Sequence, residues 1–224
     1  SPGEWYHNQA TGVLYFWPPG NVNPNTLNIL ASVFNDGVFL GWQRSYVDIQ
    51  DLAFNGQRYA GVNNGGSAHI NITGCTFDQT HHGIRSYGSY GNYSNNMVRN
   101  TFASGLAILD HHTTIENNTI EDIALFPGLG EPFWGYFGMY CRGQENIVRN
   151  NVVDNVGNSN IFMEGSGLVE RNIVSRGLAT VNDGGGIYFD NADGLIIQDN
   201  FVSDLDGNME SQAMDGGVNF KIGH

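Results

Sequence analysis

Apolar residues return along this chain in a six-residue phrase, apolar-x-x-Asn-x-apolar. It reads Ile115-Glu-Asn-Asn118-Thr-Ile120, Val148-Arg-Asn-Asn151-Val-Val153, Val169-Glu-Arg-Asn172-Ile-Val174 and Ile197-Gln-Asp-Asn200-Phe-Val202. Met97-Val-Arg-Asn100-Thr-Phe102 reads as a fifth copy. Ile49-Gln-Asp-Leu52-Ala-Phe54 and Ile72-Thr-Gly-Cys75-Thr-Phe77 read as two copies without the Asn. The anchors at 52, 75, 100, 118, 151, 172 and 200 are spaced 23, 25, 18, 33, 21 and 28, a mean of about 25.

A second pattern precedes most anchors by 11 to 16 residues. Short segments, often opened by Gly, begin at Ile84, Leu106, Met139, Ile161, Ile187 and Val218. Alternate residues in them are mainly apolar: Leu106/Ile108, Met139/Cys141, Ile161/Met163, Ile187/Phe189, Val218/Phe220. Period two predicts strands with these residues pointing to one side. Two short strands per period, joined by Asn/Gly/Asp turns, predict one coil of a parallel β-helix, each coil stacking on the last at about 4.8 Å. A column of Asn amides would satisfy buried turn groups along the axis. The fold class is therefore all-β, a parallel β-helix (solenoid) of about seven coils. Strict hexapeptides and Ca2+-binding nonapeptides, which mark other solenoids, are absent from the sequence.

Composition agrees. Gly (31) and Asn (28) make up 59 of the 224 residues, and both favour turns over helix. No run of 18 apolar residues exists, so no transmembrane helix and no membrane insertion is expected. The formal net charge is -13, which disfavours nucleic acid and anionic membranes as partners. Cys75 and Cys141 match no metal spacing and are expected as buried free thiols.

Residues 4–16 predict a hairpin, Glu4–His7 against Val13–Phe16 with a turn at Asn8–Gly12, placed to cover the first coil. The domain reading is a single β-helix domain over 1–224, with a lead-in over 1–30 and coils over 31–224. Val218–Ile222 reads as one more strand with no cap after it. A longer native chain, an oligomer or self-association through open helix ends is expected from such an edge.

Pro2-Gly3-Glu4-Trp5-Tyr6, Gly12-Val13-Leu14-Tyr15-Phe16, Pro18-Pro19 and Asp183-Gly184-Gly185-Gly186-Ile187-Tyr188 resemble phrases of the bacterial secreted right-handed parallel β-helix proteins, the pectin-lyase-like superfamily. The resemblance covers nearly the whole chain. It implies right-handed coils, a secreted or cell-surface location and a polysaccharide or oligosaccharide partner. It does not choose among hydrolases, lyases, epimerases, adhesins and tailspikes.

If alternate residues face inward, two outward columns remain. One reads Arg85, Ala107, Tyr140, Phe162, Tyr188, Asn219; the other reads Tyr87, Leu109, Arg142, Glu164, Asp190, Lys221. Aromatic rings beside ionisable groups suit a sugar groove. Glu164 and Asp190 on adjacent coils are the expected catalytic pair. Retaining glycosidases hold their carboxyl groups about 5–5.5 Å apart. Arg142, Tyr140, Phe162, Tyr188, Lys221 and Trp134 would bind substrate. The same column also reads as a salt-bridge ladder, Arg142–Glu164 and Asp190–Lys221, in a non-catalytic surface or filament module. A polysaccharide lyase is a further alternative, disfavoured because Arg142 and Lys221 stand three coils, roughly 14 Å, apart.

No cofactor is required. Asp183 and Asp215, in Asp-Gly-Gly turns, are candidate Ca2+ ligands but read more simply as turn formers. His81-His82 and Asp110-His111-His112 read mainly as turn residues, with a shared metal as the minority reading. The loop Leu125–Gly135, carrying Phe126, Phe133 and Trp134, would either close over substrate or pack on a neighbouring coil. Asn71-Ile-Thr, Asn92-Tyr-Ser and Asn117-Asn-Thr match glycosylation sequons, as chance allows in an Asn-rich chain.

Overall fold

A computed structural model describes residues 3–27, 29, 31–130, 135–181 and 183–205. The chain divides into two compact units, Ser1–Ala31 and Ser32–His224. In the first, Trp5–Asn8 runs antiparallel to Val13–Phe16, with Trp5 opposite Phe16 and Asn8 opposite Val13. Asn8 forms the turn. Its carbonyl accepts from Gly12 N at 2.8 Å, and its side-chain oxygen accepts from Ala10 N at 3.0 Å.

The second unit is a parallel β-helix whose described strands make seven coils. Each coil carries three strands rather than the expected two. The first face stacks Asp36–Leu40, Ala60–Asn64, His82–Ser86 and Leu106–Ile108, then the opening halves of Met139–Arg149 and Ile161–Glu170, then Ile187–Asp190. The second face stacks Val47–Gln50, Ile70–Thr73, Asn92–Ser94 and Thr114–Glu116, then the closing halves of the two long strands, then Leu195–Gln198. The third runs from Ala53–Asn55 to Phe201–Ser203. The six-residue phrase straddles the corner between the second and third faces. Its two apolar residues lie on different strands, and the Asn sits in the turn between them.

That turn explains the Asn and Gly content. The residue before each anchor is left-handed: Asp51, Gly74, Asn95, Asn117, Asn150, Arg171 and Asp199 have φ between 52° and 67°. Gly, Asn and Asp tolerate this region best. Each anchor Asn then links coils. The backbone N–H of Cys75, Asn96, Asn118, Asn151 and Asn172 each donates to the Oδ1 of the next Asn along the axis, at 2.9 Å in every case. Each Nδ2 donates back to a backbone carbonyl of the preceding coil, as Asn118 does to Tyr93 O at 2.9 Å.

The ladder corrects one anchor. The third member is Asn96, in Tyr93-Ser-Asn-Asn96-Met-Val98, and not Asn100. Asn100 lies on the far turn of the third face, with φ 53°, and donates to Asp78 Oδ1 at 2.9 Å. The apolar pattern fits both frames. The true frame uses Tyr93 as its first apolar residue, and Tyr93 is fully buried with its hydroxyl in a polar network. With Asn96 restored, the anchors from 52 to 118 are 23, 21 and 22 apart, leaving the step of 33 to Asn151 as the large insertion.

The core is three inward columns, each adding an apolar side chain per coil: Val62, Ile84, Leu106, Met139 and Ile161 on the first face, with Ile72 and Ile115 on the second and Phe77 and Ile120 on the third. The faces approach closely where the first-face strands begin. A Cβ on Gly61 would lie 2.3 Å from Phe77 Cδ1, and one on Gly138 would lie 2.6 Å from Val153 Cγ1. That is the reason for the opening Gly of these strands. The expected inward pairs Leu106/Ile108, Met139/Cys141 and Ile161/Met163 are buried. In the last described coil Ile187 is half-buried and Phe189 is 54% exposed. The strand read at Val218–Ile222 lies outside the described residues. Cys75 and Cys141 are free and buried.

Candidate functional site

The first face presents its outward residues in the expected register. Ala107 pairs with Tyr140, Tyr140 with Phe162, and Phe162 with Tyr188. The column also extends back through Arg85 to Asn63 and Phe39. The second of these coils escaped the sequence pattern because Ala60-Gly-Val-Asn-Asn64 offers too few apolar residues to alternate; the first, Asp36-Gly-Val-Phe-Leu40, alternates at Val38 and Leu40 and was passed over. One step along each strand, Arg142 pairs with Glu164 and Glu164 with Asp190.

Exposure along the column is uneven. Ala107 and Tyr140 point outward yet are 1% and 0% exposed, Phe162 is half-buried and Tyr188 is 40% exposed. Tyr140, expected to meet substrate with its ring, is covered instead. Phe137, 8% exposed, packs against it, with ring centroids 5.8 Å apart, and reaches Phe162 at 5.0 Å. The rings of Tyr140 and Phe162 are 5.3 Å apart, and those of Phe162 and Tyr188 are 5.2 Å apart. The sequence reading passed over Phe137. Its signal was an aromatic residue placed directly before the Gly138-Met139 strand opening.

The Tyr140 hydroxyl donates to Glu164 Oε2. Burial first, and then this carboxylate acceptor, push the phenol well above its ordinary pKa. Arg142 Nε stands 3.7 Å from the same oxygen. The Glu164 side chain is 17% exposed and that of Arg142 is 57% exposed. Asp190, one coil on, is exposed and accepts from its neighbour Asn191 N at 2.8 Å. The two carboxylates therefore differ in kind: one is enclosed and held by two donors, the other is open to water. Lys221 and Trp134 lie outside the described residues, as do Asp215 and Phe133.

A family model described as a right handed beta helix region matches residues 82–218, which is 137 of the 224 residues. The chain belongs to that family. No curated protein and no solved structure matches it.

Elsewhere on this right-handed β-helix the histidine clusters part company. Asp110 is fully buried. Its carboxylate accepts from Tyr93 Oη at 2.7 Å, Ser86 Oγ at 2.9 Å and the backbone of Gly88. Burial raises its pKa above the ordinary aspartate range, against the pull of these donors. It is a structural group at a turn. His111 Nδ1 accepts from Gln144 N at 3.1 Å, and His112 Nδ1 sits 3.0 Å from Glu145 Oε2. His82 is buried on the first face, beside Tyr59 and His81. Among the described residues no three His, Cys, Asp or Glu side chains converge as a metal ion would require. Asp183 is exposed.

The turn before the second face carries a column that the sequence reading missed. Tyr46, His69, Tyr90 and His112 stack ring on ring, with centroids 4.6, 5.1 and 4.8 Å apart and planes within 12°. All four have φ between 54° and 60°. The signal was a flat side chain three residues before the inward residue of each of the first four second-face strands, Ile49, Ile72, Tyr93 and Ile115.

Proposed function

We propose that this β-helix is a glycoside hydrolase acting on an extracellular polysaccharide, with Glu164 as nucleophile and Asp190 as acid/base. What supports it most is the asymmetry of the pair. A nucleophile must hold one orientation toward the anomeric carbon, and Tyr140 with Arg142 fixes that of Glu164. An acid/base must exchange protons with water, and Asp190 is the exposed member. Adjacent coils hold the two Cα atoms about 4.8 Å apart, which suits the carboxyl separation of retaining enzymes, about 5–5.5 Å.

In the first step Glu164 would bond to the anomeric carbon while Asp190 gives its proton to the departing glycosidic oxygen. In the second, Asp190 takes a proton from water, and the resulting nucleophile breaks the Glu164–sugar bond. Phe162 and Tyr188 would carry the pyranose faces, and Arg142 would hydrogen-bond a hydroxyl beside Glu164.

The test is reducing-sugar release from a panel of plant, algal and bacterial polysaccharides by the wild type, Glu164→Gln and Asp190→Asn. Cleavage of one glycan, reduced at least about 100-fold in each variant with the fold intact by circular dichroism, is the expected result. The Arg142–Glu164 ion pair supports a second reading, a non-catalytic surface module in which the column is a charge ladder. Absence of cleavage across the panel, with unchanged melting in both variants, would favour that reading. A rise at 235 nm on a uronate polymer would indicate a lyase instead.

A further inference from the structure

We infer that the turn Trp42–Tyr46 is a glycan-binding platform for a neutral, flat polysaccharide. It stands apart from the Glu164–Asp190 pair and does not depend on whether that pair is catalytic.

The turn is held rigidly. Gly41–Tyr46 joins the first and second faces of the first coil, and the second coil pins it. Ser67, 1% exposed, donates its hydroxyl to Gly41 O at 2.8 Å and accepts from Arg44 N at 3.0 Å. Gly65 N donates to Leu40 O at 2.8 Å, and Tyr46 N to Ala68 O at 3.3 Å. Side chains on such a turn are in place before a ligand arrives, which lowers the cost of binding.

Each of its two rings is packed on one face only. A Cβ on Gly66 would lie 3.9 Å from each of Cδ1, Cδ2 and Cε2 of Trp42. A point equidistant from three atoms around the five-membered ring sits over the ring face, so the indole lies flat on Gly66 of the second coil. Gly66 has φ 128°, a conformation that favours glycine, so no side chain intervenes. Tyr46 likewise lays one face on His69 of the same coil, with centroids 4.6 Å and planes 4° apart. The opposite face of each ring points away from the second coil, and the two residues are 81% and 79% exposed. Gly66 and His69 are three residues apart, so the two supports lie within about 10 Å of each other.

Area and charge decide what the pair takes. Two aromatic side chains offer at most about 500 Å² together, below the roughly 800 Å² that each partner gives to a stable protein interface. They match the apolar faces of a short run of pyranoses. Gln43, Arg44 and Ser45, between them in the chain, are exposed and can hydrogen-bond sugar hydroxyls. A net charge of -13 disfavours anionic polymers. Two open faces on one side suit a flat ribbon of equatorially linked neutral sugars. Glu164 is five coils away, roughly 24 Å along the axis.

The test is isothermal titration calorimetry with equatorially linked hexasaccharides of glucose, mannose, xylose and N-acetylglucosamine. Glu164→Gln protein is used so that turnover does not intervene. One hexasaccharide is expected to bind, and Trp42→Ala and Tyr46→Ala should each weaken it about two- to tenfold, the worth of one aromatic contact. Trp42→Phe should recover part of the loss. Tyr90→Ala is the control: His69 and His112 take both of its ring faces, so it should leave the affinity unchanged. Failure of every hexasaccharide to bind, or equal binding to Trp42→Ala and Tyr46→Ala, would overturn the inference. An equal loss in Tyr90→Ala would assign the effect to the ring stack and overturn it too. A concentration-dependent dimer in sedimentation, lost in Trp42→Ala, would put a second copy on the platform instead. Platform binding without cleavage by the wild type would leave this inference standing and remove the hydrolase reading.

Discussion

Removing one rung of the Asn ladder tests what holds the coils together. In Asn118→Ala the perturbation is confined to a residue 1% exposed. Its Oδ1 accepts from Asn96 N at 2.9 Å and Asn96 Nδ2 at 3.1 Å. Its Nδ2 donates to Tyr93 O and to Asn151 Oδ1, both at 2.9 Å. After truncation, Asn96 Nδ2 keeps Ile72 O at 2.9 Å, and Asn151 Oδ1 keeps the backbone N–H of residue 118. The losses fall on the Asn96 N–H and the Tyr93 carbonyl. A buried polar group deprived of its partner costs about 1–3 kcal/mol, so two give about 2–6 kcal/mol. Natural domains are stable by about 5–15 kcal/mol, so this is a large fraction. At about 2–4 °C per kcal/mol for a chain of this size, a fall of roughly 10 °C in Tm is expected near the middle of the range. The assay is thermal unfolding followed by circular dichroism. A fall below about 2 °C would refute the reasoning and show that water or a small backbone shift replaces the amide.

Three further outcomes follow from the same interior. Cys75→Asn should leave Tm unchanged or raise it in the same melt, because the Cys75 thiol already faces Ile49 O at 3.7 Å, where each later rung places its amide on the corresponding carbonyl; a fall of about 5 °C or more would show that the first rung has no room. Burial raises both thiols above their ordinary pKa, for Cys141 with the Asp110 charge adding to it, so a thiol reagent at neutral pH should label neither cysteine until denaturant is added. Asp110 has its folded pKa raised by burial, so its contribution to stability is full below the ordinary aspartate range and is lost as pH rises through the raised value. The Tm of the wild type minus that of Asp110→Asn should therefore shrink as pH increases over that window, and a difference independent of pH would contradict the assignment.

The coil repeat was legible because it rests on two local rules: period-two alternation, and an Asn in a fixed turn. Both fail in identifiable places. Asn100 took the place of Asn96 because the apolar pattern fits both frames, Met97 and Phe102 flanking Asn100 as Tyr93 and Val98 flank Asn96. The third strand of each coil was merged with the second because only a two-residue corner separates them. The outward register of Arg142, Glu164 and Asp190 followed from counting along strands. The burial of Tyr140 did not, since Phe137, which packs against it, occupies the coil position held by Ser104 and Ser159 in the neighbouring coils. Nothing in the alternation of Met139 and Cys141 tells that Phe137 packs against their neighbour.

The aromatic cluster of Phe137, Tyr140 and Phe162 is where a candidate site acquires its character. Six regular coils would give a flat face with equivalent outward columns, and Glu164 would be a surface carboxylate beside an arginine. An exposed pair of that kind is worth about 0–1 kcal/mol and has little orientation. That cluster changes this. Phe137 packs on Tyr140, the buried phenol donates its hydroxyl to Glu164, and Glu164 is left 17% exposed while Asp190 stays open. Two carboxylates that the repeat would have made alike are thus placed in unlike surroundings. That difference is what acid/base and nucleophile roles require. One buried tyrosine at an outward position would thus supply the unlike pair.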